Sequence, residues 1–120
     1  MSKKNIESYI PKVIDVLKQE FPSGVIDSTF NGYISSFGAS VIQSGLKPTI
    51  ALFENTNAST DADKSKLMKI ILKVLDSDAN STLLNYTLNS SNETLLKQKI
   101  LDIAVAIKLS MRTFELKKGG

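Results

Sequence analysis

Four aspartates, Asp61 with Asp63 and Asp76 with Asp78, are the residues of this chain best spaced for chemistry. Paired carboxylates can share a proton or hold a hard cation. Both pairs fall at expected helix boundaries, where an acidic cap or a solvated loop explains them more simply. A hard-metal site would need further oxygen ligands converging from elsewhere, so no metal site is expected. The chain has no histidine, cysteine or tryptophan, which rules out a Ser-His-Asp triad, a cysteine nucleophile and a zinc site with N/S ligands. Its glycines are isolated apart from Gly119-Gly120, so there is no phosphate-cradling loop. The residues predict a protein without a cofactor that is not an enzyme.

The other side chains placed to act at a distance are cationic. Fifteen Lys and Arg against twelve Asp and Glu give a net charge of +3, a lean towards acidic partners. At about 100° per residue, Lys66, Lys69 and Lys73 fall on one side of a helix, nearly opposite Leu67, Ile71 and Leu75. Lys97, Lys108 and Arg112 line up in the same way beside the apolar stripe of the last helix. Such rows can follow a phosphate backbone, each neutralised phosphate steepening the salt dependence by about 0.7 on a log–log plot for single strands. No aromatic residues interleave with them in the sequence, so contact is expected with phosphate and sugar, not with stacked bases. A solvated helix face is the simpler account of the same rows.

These side chains need helices to hold them. Ile6, Ile10, Val13, Leu17 and Phe21 predict a first helix over about 5–21, with Pro11 in a first turn that starts near Ser8. From Val25 a second stripe runs through Ile26, Phe30, Tyr33, Ile34, Phe37 and Val41. It passes through Asn31-Gly32 without breaking register, which favours helix over hairpin. In "SGLKPTIALF", Gly45 predicts a left-handed C′ residue that ends a helix at Ser44, and Pro48 falls in the first turn of the next helix, where its missing N–H is tolerated. Leu46, Ile50 and Phe53 continue the apolar face.

A helix over about 61–76 is predicted to bury Leu67, Ile70, Ile71, Val74 and Leu75, capped by Thr60 with Asp63. Ser81 is the expected cap of a short helix carrying Leu83, Leu84 and Leu88. Ser90 with Glu93 is the expected capping box of a last helix over about 92–116, with Leu96, Ile100, Ile103, Ile107, Met111 and Phe114 inward. Val105, Leu109 and Leu116 point away from that stripe, towards a second neighbour or a partner. The expectation is an all-α fold: one compact domain of five or six helices over 1–120, with 117–120 as a frayed tail. No membrane-length apolar run or signal-like segment appears, and the lack of cysteine suits a reducing cytoplasm.

"FNGYISSFGASVIQSGLKPTIALFEN", residues 30–55, resembles the signature region of the small subunit of type III-B CRISPR effector complexes, the Cmr small-subunit family. The resemblance rests on Tyr33, Phe37, Val41, Ile42, Gly45, Leu46, Thr49, Ile50, Ala51 and Phe53. "ILDIAVAIKLSMRTFEL" is similar to the family's closing helix, with Lys108 at a basic position. The resemblance implies a non-catalytic subunit of an RNA-guided antiviral ribonucleoprotein complex in the cytoplasm. Copies of it would stack along a stem beside larger backbone subunits, holding guide and target RNA through charge. Lys66, Lys69, Lys73, Lys97, Lys108 and Arg112 are the candidate RNA contacts, and Gly45 with Leu46 the structural motif. The alternatives are a helical protein-interaction module, or the small subunit of another CRISPR type, without a direct RNA role.

Overall fold

A computed structural model describes residues 3–55 and 62–117. Six α-helices carry the fold: α1 (Lys3–Glu20), α2 (Ser28–Ser44), α3 (Leu46–Glu54), α4 (Ala62–Leu75), α5 (Leu83–Leu88) and α6 (Glu93–Ser110). Two three-residue strands, β1 (Val25–Asp27) and β2 (Glu115–Lys117), pair in parallel, Val25 opposite Glu115 and Asp27 opposite Lys117. The all-α expectation holds, with this ribbon as the addition. The radius of gyration is 13.5 Å, close to the roughly 13.6 Å of a compact chain of this length.

The apolar periodicity explains the packing. Leu67, Ile70, Ile71 and Val74 of α4 are buried, as are Ile100, Ile103 and Ile107 of α6. α1 packs chiefly on α6 and also on α4, with Val13, Val16 and Leu17 inward. α2 runs against α3, α4 and α6 through Phe30, Ile34, Phe37 and Val41. Edge-to-face aromatic pairs, each at 5.3 Å between ring centroids, join Phe21 after α1 to Phe30 in the first turn of α2, and Phe37 in the middle of α2 to Phe53 of α3.

The corner at Gly45 forms as the sequence predicts, with one difference. Gly45 donates its N–H to the Val41 carbonyl at 3.0 Å and accepts from Thr49 N–H at 3.4 Å, so one residue ends α2 and begins α3. Its φ is 100° but its ψ is 162°, beyond the left-handed helical well and in a region open almost only to glycine. Leu46 is buried beneath the turn, and buried Thr49 exchanges a 2.9 Å hydrogen bond with Ser40 across it.

Several element ends differ from expectation. Pro11 lies inside α1, which begins at Lys3; a missing hydrogen bond there costs about 3 kcal/mol, offset by the packing of α1 on α6. Val25 and Ile26 are strand, and α2 starts after Asp27, whose Oδ1 accepts from Thr29 N–H at 3.0 Å. Thr82, not Ser81, caps α5, and Asn92, not Ser90, caps α6 by accepting from Leu95 N–H. Glu93 instead pairs with Lys47 at 3.0 Å. α6 ends at Ser110, not near 116, because a 3-10 turn (Met111–Thr113) redirects the chain into β2. The expected Thr60 cap and the Asp61–Asp63 pair fall outside the described residues and side chains.

Candidate nucleic-acid interface

The two basic rows meet different fates. On α4 the buried Leu67, Ile70, Ile71 and Val74 fix the helix's rotation, which turns Lys66, Lys69 and Lys73 towards the last turn of α1. There they surround Glu20. Lys73 Nζ lies 2.7 Å from Glu20 Oε2, and Lys66 Nζ donates to the Glu20 backbone carbonyl at 3.3 Å. Lys66 Nζ also sits 4.5 Å from the Phe21 ring centroid, a cation–π contact. Lys69 is exposed. Burial alone would raise the Glu20 carboxyl, but the Lys73 hydrogen bond and the charges of Lys73, Lys69 and Lys66 hold it below its ordinary value. Three ammonium groups around one carboxylate leave this surface positive.

One turn earlier, Lys64 Nζ stands 5.6 Å from the Tyr33 ring and 5.7 Å from the Phe53 ring. Aromatic residues thus do meet lysines in space, although none interleaves with them in sequence. These contacts set the protein's own cation against both rings.

On α6 the second row is broken. Lys97 is half-buried; Lys108 is exposed and donates to Ser35 Oγ of α2 at 2.6 Å. Arg112 is exposed but belongs to the 3-10 turn, so its direction no longer follows the α6 wheel. Eleven residues separate Lys97 from Lys108, roughly 16 Å along a helix, and Leu101 and Val105 fill the interval. Both line a groove of about 310 Å³ between α2 and α6, with Ile34, Gly38 and Ile42 opposite. Val105 therefore borders an open groove, and Leu109 is partly exposed.

A second cavity, about 600 Å³, is lined by polar groups including Asn80, Tyr86, Asn89, Asn92 and Lys99. The asparagines between Asn80 and Asn92 were its only sequence signal. Asp76 accepts from Asp78 N–H at 3.1 Å, a local turn of the kind expected for that pair. Among the described residues no group of three or more His, Cys, Asp or Glu could hold a metal ion. No described helix is long and apolar enough to cross a membrane.

The described residues form a small helical bundle whose surface carries a cluster of lysines at α4 and an apolar groove between α2 and α6. Residues 3–112 match the family described as CRISPR-associated protein (Cas_Cmr5), and the chain belongs to this Cmr small-subunit family of type III-B systems. A search of curated proteins and one of solved structures each found no match.

Proposed function

We propose that the protein is a non-catalytic subunit of an RNA-guided effector complex, steadying the stem and holding guide and target RNA by their backbones. Family membership supplies the complex. The excess of positive charge where α4 meets α1 is the observation that carries the RNA contact. Exposed Lys69 is its outward cation, with Lys66 and Lys73 adding to the field while they hold Glu20. Lys97, Lys108 and Arg112, the second candidate row, are divided by Leu101 and Val105, so the α4 row carries the RNA contact. Cleavage belongs to other subunits, and sequence is read by guide pairing, so contact indifferent to base suffices here. The partners are the larger backbone subunits and further copies of this chain, in the cytoplasm.

Binding of the isolated protein to single-stranded RNA at two salt concentrations tests the reading. Weak binding that falls with salt is expected, strengthened on assembly into the complex. Binding absent at low salt, both alone and in the complex, refutes it.

A further inference from the structure

The groove between α2 and α6 has a composition that suits neither RNA nor bulk water. Ile34, Gly38 and Ile42 form one wall, Leu101 and Val105 the other, and Lys108 crosses to Ser35 at its rim. No carboxylate and no aromatic ring lines it. Ile42 is 70% exposed, a large apolar side chain with nothing over it. Gly38 keeps the floor low: a Cβ built there meets no atom within 4 Å.

Charge is arranged at the two ends of this strip. Lys97 lies one helical turn before Leu101, and Lys108 follows Val105. The pattern is basic, apolar, basic over about three turns of helix.

We infer that this strip seats an amphipathic helix of a larger protein subunit, about three turns long, with an apolar face and carboxylates near each end. Apolar residues at helical spacing would enter between Ile42 and Val105, and the terminal carboxylates would meet Lys97 at one end and Lys108 at the other. Lys108 uses one of an ammonium's three protons on Ser35, leaving others for the partner. An RNA strand would gain nothing from the apolar middle and would find no ring to stack on. A second copy does not offer the matching face. Apart from Ile42 and Leu109, which belong to or adjoin the groove itself, its large exposed apolar residues among those described are Leu52 on α3, Leu88 on the six-residue α5, and Leu95 at the start of α6. None of these belongs to a three-turn apolar strip with acids at both ends. That the partner is a subunit of the same complex rests on the function proposed above.

A photo-crosslinking amino acid at position 42, introduced in cells of the native host and followed by mapping of the adduct, tests the assignment. The expected adduct lies on a helix with apolar residues three and four apart and carboxylates about three turns apart. Gly38→Phe should lower incorporation into the complex at least about tenfold, through the filled groove, while its RNA affinity when isolated stays within about twofold of wild type. Its thermal unfolding should show an intact fold, since the side chain enters open space. An adduct to RNA or to a second copy overturns the inference, as does normal incorporation of Gly38→Phe. Co-purification with the RNA-guided complex but no protein adduct at position 42 sinks the groove and leaves the function standing. An adduct to such a helix in a protein unrelated to that complex does the reverse.

Discussion

Lys73 Nζ of α4 and Glu20 Oε2 of α1 lie 2.7 Å apart, and the Glu20 side chain is only 10% exposed. This pair joins two helices whose contributing residues stand 53 positions apart in the chain. It also decides how the α4 row divides: Lys73 and Lys66 hydrogen-bond to Glu20, and Lys69 is exposed.

Lys73→Met should therefore destabilise the protein by about 1–3 kcal/mol, by leaving a largely buried carboxylate without its partner. The lysine's partial exposure keeps the value towards the lower end. Chemical denaturation at neutral pH measures it. A change below about 0.3 kcal/mol would mean that solvent replaces the pair at no cost.

For RNA binding the informative variant is Lys69→Glu. It reverses an exposed charge and leaves the hydrogen bonds of Lys73 and Lys66 to Glu20 in place, so RNA affinity should fall while the melting temperature drops only slightly, through the loss of Lys69's charge beside Glu20. The log–log salt slope should shrink by about 0.7–0.9, the share of one phosphate contact. Lys73→Glu would lower affinity ambiguously, because it sets two carboxylates side by side and weakens the fold. Equal slopes for wild type and Lys69→Glu would remove α4 from the interface.

The helices were legible because apolar residues three and four apart must share a buried face, and Leu67, Ile70, Ile71 and Val74 do. Their ends were less so. Ile26 stands four residues before Phe30 and so fits the helical stripe, yet it is a strand residue buried beside the Asp27 cap. Met111 and Phe114 keep an inward phase after α6 has ended, since the 3-10 turn still directs them at the core. The basic rows were visible as rows, but their pairing was not. Nothing in local spacing announces that Glu20 will meet Lys66 and Lys73, or that Lys108 will reach Ser35, because those contacts arise only when distant helices pack.

Glycines at two positions should respond oppositely to alanine. At Gly45 the added Cβ has room, its nearest neighbour being Pro48 Cδ at 3.6 Å. The φ of 100° and ψ of 162° are what alanine resists, at a cost of about 1–3 kcal/mol. Gly32 lies within α2 at ordinary φ with open space around it, so Gly32→Ala should stabilise by roughly 0.5–1 kcal/mol. Thermal unfolding of the two variants beside wild type gives both signs in one experiment. Two shifts of the same sign would show that the Gly45 backbone is not held as described.

Acid should separate Glu20 from Glu54. Glu20 is held below the ordinary value of 4.5 despite its burial, through Lys73 first and then Lys69 and Lys66. Its stabilising share is thus complete above about pH 4.5 and is lost as pH falls through its lowered folded value. Glu54 is raised above 4.5: burial outweighs the hydrogen bonds it accepts from Leu84 and Leu83 N–H at the start of α5. A raised carboxyl acts in the other direction. Its ionisation costs the fold stability once pH exceeds its folded value, and the cost disappears below about pH 4.5. Glu20→Gln should lower the melting temperature at pH 7 and converge on wild type as the medium is acidified towards pH 2. Glu54→Gln keeps an oxygen for the two N–H groups without the charge, so it should equal or exceed wild type at pH 7 and lose that margin on acidification. Melting curves of the three proteins from pH 7 down to pH 2 check both signs, and parallel curves would mean that neither carboxyl differs between the folded and unfolded chain.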